Sequence, residues 1–318
     1  MTTAMTTAMT TAMTTAKTAT TVNRVTILAL GLIGGSLAKA LKENGFAGEV
    51  VAWGRREKSL QKGLELGIID RYSLDFEEAI EGADIIVVAT PTLIAADMIK
   101  QLLLKVSAQT IITDVASVKG NLLAAAIECC GKVPPNLVLG HPIAGSEKSG
   151  VEAAKADLFV NHRVILTPVE ETDKKATKLI RDMWESTQAD VVEMSVTDHD
   201  QVLAATSHLP HILAYTLVDA LAGQKEQQDI FRYAAGGFRD FTRIASSDPT
   251  MWHDISLANS EAILTMIDIF SAQLADVRDA IEASNGEKIM ASFERAKSAR
   301  DEFSQLLEKQ SMSTITSE

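Results

Sequence analysis

The sequence predicts an α/β fold, in which a Rossmann-like, doubly wound sheet is followed by an all-helical dimerisation domain. From Val22 onwards short β-branched runs alternate with longer helical stretches, which is the pattern of a parallel α/β sheet. Most of the short runs are continuously apolar, as strands buried on both faces are. After about Ser195 only helical patterns remain. The predicted boundaries are a low-complexity tail over 1–21, the α/β domain over 22–194 and the helical domain over 195–318.

The first residues form a repeat rather than a targeting segment. Met-Thr-Thr-Ala occurs four times between Met1 and Ala16. The repeat lacks the basic start and the apolar core of a secretory signal, and no arginine precedes Arg24, whereas transit peptides are rich in arginine. We therefore expect a disordered tail.

Composition and charge argue against several classes of protein. The formal net charge of −12 is unlike that of a nucleic-acid binder, and charged or polar residues interrupt every apolar run, so no membrane span is predicted. The two cysteines, Cys129 and Cys130, are neighbours and leave no third thiol for a disulfide framework. We expect free thiols in a cytoplasmic protein.

The strands and helices of the α/β domain follow one another in regular order. Helices such as 36–44 and 94–106 connect the strands, which implies right-handed crossovers and a doubly wound sheet. The predicted strands are 24–29, 49–53, 85–89, 110–114, 137–139, 164–167 and 191–193.

The carboxy-terminal part is predicted to contain helices at 196–221, about 230–245, 250–283 and 288–309. In the third of these, apolar residues recur at spacings of four and three, so that they form a stripe along one face. The stripe could pack within its own domain or against a second copy; we expect a homodimer. Its members are Ile263, Ile267, Phe270, Leu274, Val277 and Ile281.

A glycine-rich turn joins the first predicted strand to the first helix. Gly31 and Gly34 match the last two glycines of the Gly-x-Gly-x-x-Gly pattern, with Leu32 and Ile33 between them. In a dinucleotide-binding fold these glycines let the backbone approach a pyrophosphate, which the helix N-terminus binds. Ala29 replaces the first glycine, and we expect its φ to be negative because alanine disfavours the left-handed region.

Two further segments bear on the cofactor. The second strand is followed by Arg55 and Arg56 and not by the acidic residue that binds the ribose hydroxyls of NAD. Guanidinium groups suit a 2′-phosphate, so NADP is modestly preferred to NAD. Arg55 and Arg56 could instead be solvated loop charges that tolerate either cofactor. Thr90 and Pro91 follow the third predicted strand and are expected to line the nicotinamide end of the site, or else to form an ordinary turn.

Four more motifs carry functional information. Asp-Val-Ala-Ser-Val-Lys at 114–119 and Gly-His-Pro-Ile-Ala-Gly-Ser-Glu at 140–147 each follow a strand, where open sheets bind ligands. Ser-His-Leu-Pro-His at 207–211 and Gly-Phe-Arg-Asp-Phe-Thr-Arg at 237–243 lie in the helical part. With the glycine turn, these motifs closely resemble the prephenate/arogenate dehydrogenase family of tyrosine biosynthesis, from about Val22 to Ala283.

The resemblance implies oxidative decarboxylation of prephenate or arogenate, or both, with hydride transfer to NAD(P)⁺. Such a reaction needs a base beside the C4 hydroxyl, and histidine suits this purpose near neutral pH. By its place in the motif, His141 is expected to be that base, although it could instead be a buried histidine that is hydrogen-bonded by backbone. Ser117 is expected to hydrogen-bond His141 or the hydroxyl. His199, between two aspartates near a helix start, is expected to cap that helix.

The substrate's carboxylates need positively charged or imidazole donors. Arg243 is the expected carboxylate clamp, although it could instead form a surface ion pair with Asp240. His208 and His211 are expected as polar contacts; a metal site for this pair is disfavoured because no carboxylate or cysteine nearby completes it. Glu147 either closes the pocket or caps a helix. The remaining expected substrate contacts are Ser146, Asp240, which could hold Arg243, and Trp252.

Two other readings stay open. A β-hydroxyacid or imine reductase could share this architecture, but such enzymes typically use a lysine where this chain has the pair His208 and His211. A non-catalytic NAD(P)-sensing protein would bind nucleotide and need no base. Neither reading involves nucleic acid or a membrane.

Overall fold

A computed structural model describes residues 21–145, 148–224 and 231–315. Almost all of the predicted tail therefore lies outside the described residues. By its internal contacts the chain divides into two compact units, Met1–Ser260 and Glu261–Glu318.

The first unit contains a six-stranded parallel sheet in the order β3-β2-β1-β4-β5-β6. This order has the reversal next to β1 that defines a doubly wound sheet, so the predicted fold is confirmed. The three-residue strand β3 was not predicted from the sequence. The strands are β1 (Val22–Leu28), β2 (Ala47–Trp53), β3 (Arg71–Ser73), β4 (Ile85–Val88), β5 (Ile111–Asp114) and β6 (Leu137–Val138).

Helices cover both faces of this sheet. Successive strand residues point to opposite faces, so that Ile27 packs with α1 and α6 on one face and Leu28 packs with α4 and α5 on the other. All four residues of β4 are buried, which explains its uninterrupted apolar sequence. The helices are α1 (Leu32–Glu43), α2 (Glu57–Glu65), α3 (Phe76–Ile80), α4 (Thr92–Lys105), α5 (Gly120–Cys130) and α6 (Lys174–Glu185).

A second sheet of three strands follows, and it corrects the sequence prediction. The last two predicted strands do not extend the parallel sheet. They form β8 (Arg163–Leu166) and β9 (Asp190–Glu193), which pair with each other in parallel, while β8 also pairs antiparallel with β7 (Gly140–Pro142). Only Leu139 separates β6 from β7, so the chain passes directly from one sheet into the other, and His141 lies in the middle of β7.

The helical segments start at Ser195, whose side chain accepts a hydrogen bond from the Asp198 N–H. The predicted helix 196–221 is interrupted by a π-helical turn, Ala204–His208. In the described part of the predicted helix 230–245, a break at 233–235 precedes a short helix, Gly236–Thr242, which a 3₁₀ turn follows at Arg243–Ser246. Asn259 interrupts the predicted helix 250–283. The helices are α7 (Val196–Leu203), α8 (Leu209–Ala222), α9 (Gly236–Thr242), α10 (Pro249–Ala258), α11 (Ser260–Glu282) and α12 (Gly286–Ile315).

In the second unit the predicted stripe on α11 is only partly covered. Ile263 is buried, but Leu274 and Ile281 are 57% and 61% exposed. On α12, Phe293 is also 57% exposed. Large apolar side chains with this exposure mark an unpartnered surface.

Among the described residues, no single helix is long and apolar enough to cross a membrane; one bent pair, α10 with α11, meets the criterion by length and composition only.

A candidate active site at the edge of the sheet

The predicted nucleotide-binding turn opens α1 as expected. Gly31 is the helix N-cap, and a Cβ added to it would meet nothing within 4 Å. Leu32 and Ile33 are the first two residues of the helix and are half-buried. The first N–H groups of a helix have no intrahelical acceptor. The turn therefore presents open space and free N–H donors, as an anion site requires.

Gly34 has a different reason to be glycine. A Cβ there would lie 2.6 Å from the carbonyl oxygen of Ala29 and 3.0 Å from side-chain carbons of both Ala89 and Ile27. Carbon atoms pack at about 3.5–4.0 Å. The missing side chain lets α1 pack closely on β1 and β4, which is the role of the last glycine in this motif.

The prediction of a negative φ at Ala29 was wrong. Its φ is +76°, and its N–H donates to the carbonyl of Trp53 at 2.8 Å. The turn needs a left-handed residue at this position whether or not the residue is glycine. An L-residue in this conformation costs about 1–2 kcal/mol.

The other predicted cofactor contacts lie along the same carboxyl edge. Arg55 and Arg56 are exposed after β2, Arg56 being the N-cap of α2, and neither forms an ion pair with a described residue. Thr90 follows β4 and is buried, and its hydroxyl has no hydrogen-bond partner within the described part of the chain. Pro91 is the N-cap of α4.

A buried ion pair underlies the site. Lys119 and Asp114 are fully buried and form a salt bridge at the end of β5. Lys119 Nζ also donates to the Gly140 carbonyl at 2.6 Å, and Asp114 accepts from the N–H groups of Ala116 and Gly140 at 2.8 and 3.1 Å. These contacts tie β5 to β7. They hold the backbone immediately before His141, a role that no pattern in the sequence indicated for this pair.

His141 is buried beside two residues from α7. Its Nδ1 lies 2.9 Å from Nε2 of His199, and Nδ1 of His199 lies 2.7 Å from Oδ1 of Asp200. Nε2 of His141 has no hydrogen-bond partner among the described residues. His141 therefore presents one ring nitrogen to the protein and leaves the other for a ligand.

The charges in this cluster are set by burial and by hydrogen bonds. Burial, with His199 and Lys119 nearby, holds the pKa of His141 well below its usual range. Burial also lowers the pKa of His199, against the opposing effect of Asp200. At Asp200 burial acts to raise the pKa, but hydrogen bonds from His199 and the N–H groups of Lys119 and Gly120 outweigh it, and the pKa is lowered. At neutral pH both imidazoles are neutral and Asp200 is a carboxylate.

The expectation that His199 caps a helix was wrong. Ser195 is the cap, and His199 is completely buried in the first turn of α7. The pattern Ser195-x-x-Asp198 resembles a capping box, and the residue after it stands at the fourth helical position, where a side chain often packs inward against the residue that precedes the cap. That pattern was the sequence signal for an inward-facing histidine.

His208 lies next to the same cluster. The amide nitrogen of Asn259 donates to the carbonyl of Asp200 at 2.8 Å and to Nδ1 of His208 at 3.1 Å. Since Nδ1 is an acceptor, neutral His208 carries its proton on Nε2. Burial lowers the pKa of His208 to about 4, so it is a neutral N–H donor.

His211 and Trp252 form the adjoining wall. Their rings stack with centroids 3.6 Å apart and planes at 19°, and Trp252 is buried. Nδ1 of His211 donates to the Ser207 carbonyl at 2.9 Å. Burial and the nearby Arg243 lower the pKa of His211, although the Ser207 carbonyl opposes them. The predicted clamp Arg243 is therefore close to this wall.

The remaining predicted residues are less closely tied to the cluster. Arg243 is exposed at the start of the 3₁₀ turn after α9. Asp240 is also exposed and lies 3.7 Å from Arg239 in an ion pair; its predicted support of Arg243 stays a prediction. Ser117 is half-buried, and its hydroxyl has no hydrogen-bond partner among the described residues. Ser146 and Glu147 lie outside the described residues.

The sheet order, the glycine turn and the histidine cluster define a dehydrogenase of the dinucleotide-binding α/β class. Two family models match the chain: "Prephenate dehydrogenase, nucleotide-binding domain" over residues 37–193 and "Prephenate dehydrogenase, dimerization domain" over 195–295. The chain belongs to the prephenate dehydrogenase family, as the motifs predicted, and is an enzyme.

Individual relatives agree with this assignment. Prephenate dehydrogenase of Bacillus subtilis (strain 168) is 37% identical over 282 residues, which are 87% of this chain and 75% of that protein. The structure of prephenate dehydrogenase from A. aeolicus, in complex with hydroxyphenyl propionate and NAD⁺, is 37% identical with a TM-score of 0.82 and covers 88% of this chain and 98% of that one. Synechocystis arogenate dehydrogenase is 28% identical with a TM-score of 0.75, covering 88% and 99%.

Proposed function

We propose that this enzyme oxidatively decarboxylates prephenate or arogenate, or both, with His141 as the general base. The observation that supports the role of His141 is its placement: it is buried in β7, hydrogen-bonded through Nδ1, and without a described partner at Nε2. A lowered pKa keeps the imidazole neutral, so it can accept a proton near neutral pH. Its Nε2 takes the proton from the substrate's C4 hydroxyl as the ring carboxylate leaves as carbon dioxide.

The residues of the first turn fit a nicotinamide dinucleotide. Gly31 leaves open space at the N-terminus of α1, and Thr90 has a buried hydroxyl without a described partner at the same sheet edge. A bound dinucleotide would supply the hydride acceptor for the reaction. Exposed Arg55 and Arg56 offer guanidinium groups for a 2′-phosphate, so we propose NADP as the modestly preferred cofactor and NAD as the alternative.

We assign substrate contacts by chemistry. His208 presents a neutral N–H, and Arg243 a permanent positive charge, and both suit carboxylates. Trp252 and His211 form an aromatic wall for the flat ring of the substrate. Ser117 has a hydroxyl available to the substrate's hydroxyl or to His141.

We further propose a cytoplasmic homodimer formed through the helices of the second unit. Leu274 and Ile281 on α11 and Phe293 on α12 are more than half exposed in the single chain. Apolar surface of this kind is normally covered by a partner. Light scattering behind size exclusion should give a mass near twice 34.2 kDa, and a monomeric mass at micromolar concentration would contradict the proposal.

The test of the activity is absorbance of reduced cofactor, with prephenate or arogenate combined in turn with NAD or NADP. Activity in any combination supports the reaction, and the largest kcat/KM gives the preferred pair. The variant His141→Asn should lower kcat by roughly 10²–10⁴-fold with KM nearly unchanged. Silence in all four combinations, with cofactor bound, would move the assignment to a different dehydrogenase or a nucleotide sensor.

A further inference from the structure

Three side chains form a continuous hydrogen-bonded row behind the proposed base. The row runs from His141 in β7 to His199 and Asp200 in α7, with separations of 2.9 and 2.7 Å. The row is shielded from solvent, because the side chain of His199 is fully buried and that of Asp200 is only 13% exposed. Hydrogen bonds in such surroundings are strong, and they restrict where protons can sit.

We propose that His199 and Asp200 are positioning residues that hold His141 in the tautomer with a bare Nε2. The inference rests on the proposed role of His141 as base. His199 and Asp200 touch neither substrate nor cofactor in this proposal; they act only through the ring of His141.

The direction of the row follows from the donors and acceptors. An ionised Asp200 can only accept, so Nδ1 of His199 must carry a proton. A neutral His199 then has a lone pair on Nε2, which accepts from Nδ1–H of His141. A neutral His141 with its proton on Nδ1 has its lone pair on Nε2, the atom without a described partner. The opposite tautomer would place two acceptors, or two donors, against each other.

Asp200 is itself held in place by a second element. Its Oδ1 accepts from the N–H of Lys119 at 2.9 Å and its Oδ2 from the N–H of Gly120 at 2.7 Å. These N–H groups belong to the N-cap and to the first residue of α5, where a negative charge is favoured. A Cβ on Gly120 would lie 2.8 Å from Oδ2, so glycine permits this approach. Asp200 thus caps α5 while it orients His199 in its own helix and, through His199, His141 in β7.

The row also explains how His141 can accept a proton in a buried site. When the O–H bond of the substrate breaks and the Nε2–H bond forms, His141 keeps Nδ1–H and becomes an imidazolium. The donor bond to His199 strengthens, and the carboxylate of Asp200 offsets the new charge without itself taking a proton. The other charged or titratable groups facing the row are Asp114 and Lys119, which neutralise each other, and neutral His208.

The first measurement is the tautomer, which is independent of turnover. The chain has six histidines, so ring-¹⁵N-labelled full-length enzyme at pH 8 gives an interpretable long-range ¹H–¹⁵N spectrum, in which His141→Asn assigns the His141 signals. We expect a protonated Nδ1 and a bare Nε2 in wild type. A protonated Nε2 would overturn the proposal. The expected tautomer without turnover of prephenate or arogenate would refute the proposed function but would still support the tautomer assigned to His141.

The second measurement is kinetic. Asp200→Asn keeps the shape of the side chain but can face His199 with either a donor or an acceptor, so the tautomer is no longer fixed. We expect kcat to fall by about 10²-fold, with KM changed less than about twofold, and the Nε2–H signal of His141 to appear. The matched control is Asp198→Asn, which alters an exposed aspartate two positions away; kcat should stay within about twofold of wild type.

A double-mutant cycle separates positioning from a general structural role. If Asp200 acts only through His141, then His141→Asn with Asp200→Asn should be no slower than His141→Asn alone. A further loss of about 10²-fold in the double variant would mean that Asp200 acts independently of His141 and would refute the proposal.

Discussion

Two glycines three residues apart should respond to the same substitution in different ways. In Gly34→Ala the new Cβ would lie 2.6 Å from the Ala29 carbonyl oxygen and 3.0 Å from carbons of two other side chains. Because carbons pack at about 3.5–4.0 Å, α1 must move outward by roughly half an ångström to one ångström. Overpacking of this size costs about 1–3 kcal/mol, and the better helix propensity of alanine offsets part of it. We expect a net loss of about 1–2 kcal/mol in the free energy of unfolding.

Gly31→Ala is the matched control. Its φ is −100°, which alanine adopts without strain, and its Cβ would meet nothing within 4 Å. The free energy of unfolding should therefore change by less than about 0.5 kcal/mol. The methyl group would, however, occupy the open space in front of the free N–H groups of α1. We expect the cofactor Kd to rise about tenfold or more.

Urea unfolding followed by circular dichroism, at fixed protein concentration and without cofactor, measures the first effect. Calorimetric titration with NADP and NAD measures the second. If the urea midpoint of Gly34→Ala equals that of the wild type, the proposed close packing of α1 is refuted. An unchanged Kd for Gly31→Ala would show that the turn at the start of α1 does not bind the cofactor.

Three further variants or conditions test other parts of the structure. Ala29→Gly should raise the free energy of unfolding by about 0.5–1 kcal/mol by relieving the left-handed strain, and a lower urea midpoint would contradict this. Lys119→Met leaves the Asp114 carboxylate buried without its cation and should lower the free energy of unfolding by about 3–5 kcal/mol. Adding Asp114→Asn to the same chain should restore part of this loss. An unchanged urea midpoint for Lys119→Met would refute the prediction. His208 should make the protein acid-labile. Its pKa in the folded protein is about 4, below the ordinary 6.5. Between these two pH values the unfolded chain binds more protons than the folded one, so the free energy of unfolding falls as the pH is lowered from 6.5 to 4. The loss is up to about 3 kcal/mol. His208→Asn should flatten that dependence, and an equally steep one would contradict the assignment.

The parts of the fold that depend on local pattern could be predicted from the sequence. Apolar runs such as β4 are continuous because they are buried on both faces. Gly31 and Gly34 are recognisable by their spacing, and they stand where the fold needs open space in front of α1 and close packing of α1 on the sheet. The second sheet escaped prediction because β7 has only three residues, too few to show an alternating pattern. Asn259 interrupts a helical pattern that stays apolar on both sides, so no periodicity reveals the break.

The site was predictable where a residue belongs to a motif and not where it depends on tertiary contact. His141 and His208 stand in recognisable motifs, and their roles are expected from the resemblance. The pairing of His141 with His199 joins residues 58 positions apart in different elements, and nothing local in the sequence announces it. Likewise Lys119 reads as an ordinary charged residue, and only its complete burial reveals the ion pair with Asp114.

The π-helical turn joins α7 and α8 into one continuous helical segment, and it changes which side chains lie on the same face of that segment. Leu209 N–H bonds to the Ala204 carbonyl five residues back, so the turn contains one residue more than a regular one. At about 100° per residue, positions nine apart, such as 199 and 208, would face opposite ways, about 180° apart. One absorbed residue reduces the angle to about 80°. A single extra residue thus acts as a phase shift, which brings two distant histidines to the same hydrogen-bonded cluster without altering the helix on either side.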